Sequence, residues 1–103
     1  MRQFDVFAKP SEASRDFAPF VIVLQSDLTM TKTTVVVAPL VLPDRLPEPS
    51  RLFPRMHVAE TPLVLSTSEL AGIGRKQLRQ HVTNLSGSRD AIIAALDLLF
   101  TGI

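Results

Sequence analysis

Residues 86–103 read Ser-Gly-Ser-Arg-Asp-Ala-Ile-Ile-Ala-Ala-Leu-Asp-Leu-Leu-Phe-Thr-Gly-Ile, and they form the longest stretch of the chain with a single unambiguous period. Apolar residues recur in it at the i, i+4, i+7, i+11 spacing of one helix face. That face consists of Ile92, Leu96, Leu99 and Ile103, widened on one side by Ile93 and Phe100. The pattern predicts a C-terminal helix over about residues 88–101, capped by Ser86 or Ser88 and ended by Gly102.

The end of this helix admits two interpretations. Ile103 comes directly after the helix stop, so we expect an apolar side chain and a free carboxylate on a protruding end. From pattern alone, a core helix with a frayed terminus is the commoner arrangement. The alternative is that the helix tip is a contact site.

Composition bounds the class of protein. The 103 residues suffice for one domain, residues 1–103, and 46% hydrophobic residues against 20% charged ones are typical of a globular chain. A net charge of +1 gives no indication of nucleic-acid binding, and the absence of cysteine excludes disulfides and cysteine-based metal sites. We find no signal-peptide pattern and no apolar run of about 20 residues, so we expect a cytoplasmic protein without a membrane partner.

The first half of the chain predicts three strands. Short runs rich in β-branched and aromatic residues cover residues 3–8, 20–24 and 33–38, and Pro39 is expected to end the third. A polar loop over residues 9–19 separates the first two strands.

The second half is less regular. Five prolines between residues 39 and 54 should prevent any regular element there, although Leu46 and its apolar neighbours can still pin the segment to the core. Residues 55–58 and 63–67 predict a hairpin with its turn at residues 60–62. Residues 68–71 suit one helical turn, and residues 75–82 taken alone favour a short polar helix.

No group of residues identifies an enzyme. His57 and His81 lack a second histidine at metal-ligand spacing, and a lone histidine is more often a packed residue than a catalyst. Asp27 stands where a general base could lie, but the usual role of such an aspartate is to bond its own turn. The one basic cluster is interpreted as a solvated face and comprises Arg75, Lys76 and Arg79.

The order of the elements, together with several short motifs, resembles the CcdB family of bacterial toxins over essentially the whole chain. No single motif is specific, but their order and spacing together are. The motifs are Gln3-Phe4, Phe20-Val21, Gln25-Ser26-Asp27-Leu28, Pro39-Leu40, Leu52-Phe53-Pro54, His57-Val58, Leu85-Ser86 and Phe100-Thr101-Gly102-Ile103.

The resemblance implies a mainly β fold, an SH3-like antiparallel barrel of the CcdB/Kid/MazF kind with a small extra sheet and a C-terminal helix. It implies a homodimeric toxin of a toxin–antitoxin pair that binds the A subunit of DNA gyrase and traps the enzyme on cleaved DNA. A CcdA-like antitoxin would neutralise it, and the complex would repress its own operon, with operator DNA contacted only through the antitoxin. No catalysis, cofactor or metal is implied.

The residues that the family uses to contact gyrase map onto two places in this sequence. One is the helix end, and the other follows the Gln-Ser-Asp motif. By resemblance, the gyrase-binding residues are Thr101, Gly102, Ile103, Phe100 and Asp97 on the helix, and Leu28 and Thr29 after the motif.

Two departures from the family matter. Thr101 stands where the best-known family pattern has tryptophan, and a threonine cannot stack on a partner arginine, an interaction of about 1 kcal/mol. Residues 73–79 are more polar than the strand-like family pattern; we nevertheless expect a strand there rather than the local helix, because tertiary context overrides weak propensity.

Two other functions stay open. A ribonuclease toxin of the MazF/Kid kind would need a general base and a cationic group, for which Asp27, His57 and Arg55 are the candidates. Alternatively, a CcdB-like protein that has lost gyrase poisoning could bind only its antitoxin, and Thr101 keeps that interpretation open.

Overall fold

The computed structural model describes residues 1–10, 16–45 and 49–103, and within them it contains seven strands and one α-helix. The predicted polar loop over residues 9–19 lies partly, and Leu46 entirely, outside the described residues. The strands are β1 (Asp5–Ala8), β2 (Phe20–Val23), β3 (Thr34–Val41), β4 (Arg55–Val58), β5 (Thr61–Leu65), β6 (Ala71–Gly74) and β7 (His81–Asn84), and the helix is α1 (Arg89–Thr101).

The strands form one antiparallel sheet in the order β4-β5-β3-β2-β1-β7, with β6 also paired to β3. The eight-residue strand β3 carries two partners on one edge: its first half pairs with β6, and Leu40 and Val41 pair with β5. The sheet therefore curls into a half-barrel from which the β4–β5 hairpin extends. This confirms the predicted fold class, mainly β with a C-terminal helix.

Pro39 does not end the third strand, as the sequence predicted, but lies inside β3. Its carbonyl accepts a hydrogen bond from the Ser66 N–H at 3.0 Å, just after the end of β5. The amide nitrogen of a strand residue faces the same edge as its carbonyl. The N–H that proline lacks would thus point to the junction between β5 and β6, where no ladder bond is lost.

The hairpin is also offset from its prediction. The turn comprises Ala59 and Glu60 rather than residues 60–62, and Ala59 has a φ of +54°, as tight hairpin turns require. Strand β5 consequently begins at Thr61 and includes Pro62, which pairs with His57. The missing Pro62 N–H faces the edge of β5 beyond the end of β3, a place where proline is tolerated.

Residues 71–85 combine strand and turn. The helix that local propensity favours over residues 75–82 is wrong, and the expected strand holds only for Ile73 and Gly74 at the end of β6. Arg75–Gln77 forms a single 3-10 turn before β7. The helical turn predicted at residues 68–71 is a 3-10 turn at Thr67–Glu69.

Alternate residues of a strand point to opposite sides of the sheet. Both sets are apolar in the central strands, so both faces of the sheet are apolar. One face carries Val6, Ile22 and Leu40 beneath α1, whose Ile92 is fully buried among them. The other face packs Phe7, Val21, Val23, Val35 and Val37 against Leu78, which follows the 3-10 turn between β6 and β7. Leu78 thereby covers the second face of the curled sheet.

The helix α1 matches its predicted bounds to within one residue at its start. Ser88 is its N-cap but makes no side-chain capping bond, while a 3-10 turn over Ser86–Ser88 leads into it. In the described part of the chain, none of the helices combines the length and hydropathy that a bilayer crossing demands.

Candidate functional site

The C-terminal end of α1 is closed by a left-handed glycine. Gly102 has φ +78° and ψ +11°, and its N–H donates to the carbonyl of Leu98 at 3.0 Å. A residue with a Cβ is strained in this conformation, whereas glycine adopts it readily. The helix stop that the sequence predicts at Gly102 is thus a defined cap from which the chain turns away.

The side chains at this end face solvent. Phe100 is 70% exposed and Ile103 is 83% exposed, and Asp97 is also exposed. The apolar stripe predicted from the sequence therefore leaves the core before it reaches Phe100. We call residues 97–103 the helix tip, which presents two large apolar side chains to solvent.

Thr101 is turned back onto its own helix. Its hydroxyl donates to the carbonyl of Asp97 at 2.6 Å. The side chain that stands at the position of the family tryptophan therefore bonds within the helix and offers no aromatic surface to a partner.

Arg51 holds the last residue from outside the helix. Its guanidinium donates to the backbone oxygen of Ile103 at 3.1 Å. Arg51 lies in a tight turn between Ser50 and Phe53: the Ser50 N–H donates to the Phe53 carbonyl, and the Phe53 N–H donates to the Ser50 hydroxyl, both at 3.1 Å. The tip is thus contacted by a residue that sequence reasoning did not single out.

Leu28 and Thr29 lie on a 3-10 turn, Asp27–Thr29, that follows β2. Leu28 is 95% exposed, although the turn beneath it is extensively hydrogen-bonded. The Ser26 hydroxyl accepts from the Leu28 N–H at 3.1 Å, the Thr29 hydroxyl donates to the Ser26 carbonyl at 3.0 Å, and the Gln25 amide donates to the Thr29 carbonyl at 2.6 Å. The structure therefore presents an apolar side chain on a fixed support.

Asp27 ties this turn to the start of the chain. Its carboxylate accepts the Gln3 N–H at 2.7 Å, and the Gln3 side chain donates to the carbonyl of Leu24 at 3.0 Å. Within the described residues, no hydrogen bond or ion pair links the turn to the helix tip. The structure gathers Asp97, Phe100, Thr101, Gly102 and Ile103 at one helix end and places Leu28 and Thr29 on a separate turn.

The three residues that a ribonuclease would require do not converge. Arg55 and His57 lie on the outer side of β4, since they alternate with buried Met56 and Val58. Three strand spacings separate β4 from β2, about 14 Å, and Asp27 follows β2 with its carboxylate engaged by Gln3. Among the described residues, no group of three histidine, aspartate or glutamate side chains is placed to hold a metal ion.

Comparison with known proteins agrees with this arrangement of elements. The sequence model of a family described as CcdB protein matches residues 3–102. The chain belongs to the CcdB family. CcdB proteins are toxins of toxin–antitoxin pairs that act by binding another protein, and their partners include an antitoxin. A search among curated proteins finds no match.

This CcdB chain also contains a polar cluster that the sequence did not predict, centred on buried Asp5. The Asp5 carboxylate lies 3.0 Å from His81 Nε2, and it accepts from the Asn84 amide at 2.9 Å and from the Arg2 N–H at 2.8 Å. Burial alone would raise the pKa of Asp5, but the hydrogen bonds with Asn84, His81 and Arg2 together hold that pKa below its usual value.

The Asp5 cluster joins the first strand to the last. Asn84 also donates to the carbonyl of Gln3 at 3.0 Å, and the His81 ring lies nearly perpendicular to the Phe7 ring with 5.4 Å between ring centroids. His81 is thus a half-exposed residue that is hydrogen-bonded to the cluster. The sequence signal for this cluster was the aspartate within an apolar strand. Its partners could not be inferred locally, because His81 and Asn84 lie 76 and 79 residues away in the chain.

Proposed function

We propose that this CcdB-family protein binds the A subunit of DNA gyrase through the helix tip and traps the enzyme on cleaved DNA. A CcdA-like antitoxin would neutralise it, and operator DNA would be contacted only through that antitoxin. The observation that carries the proposal is the exposure of Phe100 and Ile103 on a helix end that is itself well capped. We expect the protein to act in the cytoplasm, where gyrase works.

The energetics of the tip support a contact role. Full burial of an isoleucine side chain contributes about 2 kcal/mol, and a phenylalanine a comparable amount. The Gly102 cap and the Arg51 bond already restrict the tip, so the tip loses less conformational entropy when a partner binds there. In a homodimer, which the family resemblance implies, two-fold symmetry presents the tip twice, once on each protomer.

Leu28 supplies a second apolar contact in this proposal. It is the most exposed of the large hydrophobic residues in the described part of the chain, and its turn is fixed by Ser26, Gln25 and Asp27. Burial of this leucine side chain against a partner would contribute about 2 kcal/mol to binding. Thr29 lies beside it and would contribute a polar rim.

The test is a DNA-cleavage assay with gyrase from the source organism. The full chain is compared with a chain that lacks residues 101–103, and Val82→Ala serves as the control because Val82 is an exposed apolar residue on β7 outside the helix tip. We expect cleaved DNA to accumulate with the full chain and the control, but not with the truncated chain. Circular dichroism verifies that the truncated chain remains folded.

A folded full chain that leaves gyrase unaffected would refute gyrase poisoning. A second candidate, a CcdB-like protein that binds only its antitoxin, would then gain support, and the engaged Thr101 hydroxyl is the observation that favours it. A Thr101→Trp variant separates the two outcomes. Restored DNA cleavage would show that the missing aromatic ring had removed the activity.

A further inference from the structure

A basic surface lies where the start of β3 pairs with β6, and the proposed gyrase contact does not use it. Its cations come from two parts of the chain that are distant in sequence, the turn before β3 and the segment after β6. The pairing of Thr34 with Gly74 joins these two parts. The basic surface comprises Lys32, Arg75, Lys76 and Arg79.

Arg75 fixes the two parts of the basic surface to each other. Its N–H donates to the Thr33 carbonyl at 2.9 Å, and its guanidinium donates to the Thr31 carbonyl at 2.6 Å. Buried Leu78, whose N–H donates to the Arg75 carbonyl at 3.1 Å, anchors the same turn in the core. The backbone that carries the cations is therefore ordered before a ligand binds, which lowers the entropic cost of binding.

No carboxylate neutralises the basic surface. The segments that carry it, residues 28–43 and 70–89, contain no aspartate or glutamate. Asp27 and Glu69, which directly precede these segments, each accept a hydrogen bond from another part of the protein. Within the described residues, none of the four cations pairs with a carboxylate. The net charge of +1 for the whole chain thus includes a local excess of four positive charges.

The side chains between the cations distinguish one class of anionic partner from others. Protein interfaces depend on buried apolar or aromatic anchors, and single-stranded nucleic acids stack on aromatic rings. In residues 31–34 and 75–80 the only apolar side chain is that of Leu78, which is buried, and the rest are threonine, glutamine, lysine and arginine. The nearby His81 ring is engaged by Asp5. Polar and basic side chains of these types are the ones that contact DNA phosphates.

We propose that the basic surface, rather than being only a solvated face, binds the phosphate backbone of double-stranded DNA without sequence preference. Duplex DNA carries one negative charge per about 1.7 Å of its axis, so neighbouring phosphates can pair with several of the cations at once. Hydrogen bonds to phosphates carry no sequence information. This contact goes beyond the proposed function, in which operator DNA is reached only through the antitoxin, and it does not depend on gyrase as the target of the helix tip.

The test is a titration of the full-length protein with a short fluorescently labelled DNA duplex, followed by anisotropy at several salt concentrations. Neutralisation of four phosphates predicts a slope of about −3.6 when the logarithm of the binding constant is plotted against the logarithm of the salt concentration. Binding should therefore weaken by about 100-fold between about 50 and 200 mM salt. A second duplex of unrelated sequence should bind equally well.

Two variants locate the site. Within the described residues, the side chains of Lys32 and Lys76 make no hydrogen bond or ion pair, so Lys32→Gln and Lys76→Gln should leave the fold intact. Each should make the slope shallower by about 0.9, because one phosphate contact is lost.

Arg55→Gln is the matched control, because it removes the same unit charge from the exposed side of β4. Arg55 lies opposite the far end of β3, about 20 Å along the sheet from the basic surface. We expect this variant to leave the slope unchanged. Equal effects of Arg55→Gln and the two lysine variants would overturn the proposal, since only the net charge of the protein would then matter.

Two further probes test the class of partner. A glutamate-rich peptide and a single-stranded oligonucleotide, each of the same charge as the duplex, should bind more weakly than the duplex. If the peptide bound as tightly as the duplex, the partner would be an acidic protein, and a preference for the single strand would indicate stacking; either result would overturn the proposal. A protein that binds duplex DNA but does not poison gyrase would refute the proposed function and leave the basic surface intact. The reverse result would refute the role of the basic surface alone.

Discussion

At the scale of single residues, two backbone positions with positive φ set where an element begins or ends. Phe4 has a φ of +71° although it is not glycine, and its N–H still donates to the Val23 carbonyl at 2.7 Å. That conformation explains why the first strand begins at Asp5 rather than at residue 3. Gly102 has a similar φ for a different reason, because it ends α1 and directs Ile103 into solvent.

Asp5 makes the stability of the fold depend on pH. Its pKa is lowered in the folded state relative to the usual value of 3.8, so its ionised form stabilises the folded chain. This contribution is fully present above the unfolded pKa of about 3.8 and is lost as the pH falls through the lower folded pKa. The free energy of unfolding should therefore fall in strongly acidic solution.

Replacement of Asp5 by asparagine should remove this acid-dependent contribution. We expect Asp5→Asn to lower the free energy of unfolding at neutral pH by about 1–3 kcal/mol, because the donors of Asn84 and Arg2 lose a charged acceptor. Urea denaturation at several pH values measures both effects. Asp16→Asn, at an exposed position, is the control. If the free energy of unfolding of Asp5→Asn fell with decreasing pH as steeply as that of the unsubstituted protein, the role of Asp5 would be contradicted.

At the scale of the element, α1 has two parts with different roles. Its first two turns are anchored, since Ile92 and Ala95 are fully buried and Ile93 packs against the same core. Its last turn projects Phe100 into solvent. The helix thus connects the core of the sheet to an exposed apolar tip, although one periodic pattern runs through both parts.

Substitutions in the two parts of α1 should separate stability from activity. Ile92→Ala should lower the free energy of unfolding by about 2–5 kcal/mol, because it opens a cavity in the core. Phe100→Ala should change it by less than about 0.5 kcal/mol and yet abolish gyrase-dependent DNA cleavage. Urea denaturation and the cleavage assay measure these results. A large loss of stability in Phe100→Ala would show that the tip is structural.

At the scale of the whole molecule, the curled sheet needs cover on both faces. The helix α1 covers one face. On the other face, Leu78 packs from the segment that joins the edge strands β6 and β7, next to Ile73 at the end of β6. A short polar segment therefore completes a core to which it contributes few apolar residues. This role explains why local propensity for a helix is overridden there.

Leu78 should accordingly be important for stability. We expect Leu78→Ala to lower the free energy of unfolding by about 2–4 kcal/mol, since it uncovers the cluster that includes Val35 and Val37. Leu28→Ala removes an equally large side chain that is 95% exposed, so it should cost less than about 0.5 kcal/mol and weaken only target binding. Similar losses in both variants would contradict this division.

The amino-acid sequence by itself determined the local elements and the class of fold. The helix and its glycine stop follow from a 3.6-residue period and a residue that tolerates positive φ. The strands β1 and β2 follow from short β-branched or aromatic runs, and β4 follows from the predicted hairpin. Ordered motifs over the whole chain indicated the CcdB family, and the family match confirmed it. These features are local, or depend on the order of residues, so they can be inferred without coordinates.

Only the tertiary structure decided which groups meet and which face solvent. Pro39 could remain in a strand because it lies opposite the junction where the pairing of β3 changes from β6 to β5. Asp5 could be buried because His81 and Asn84, near the other end of the chain, form hydrogen bonds with it. The exposure of Ile103 likewise depends on where the core ends. Each depends on contacts between residues distant in the chain, and local propensity carries no information about such contacts.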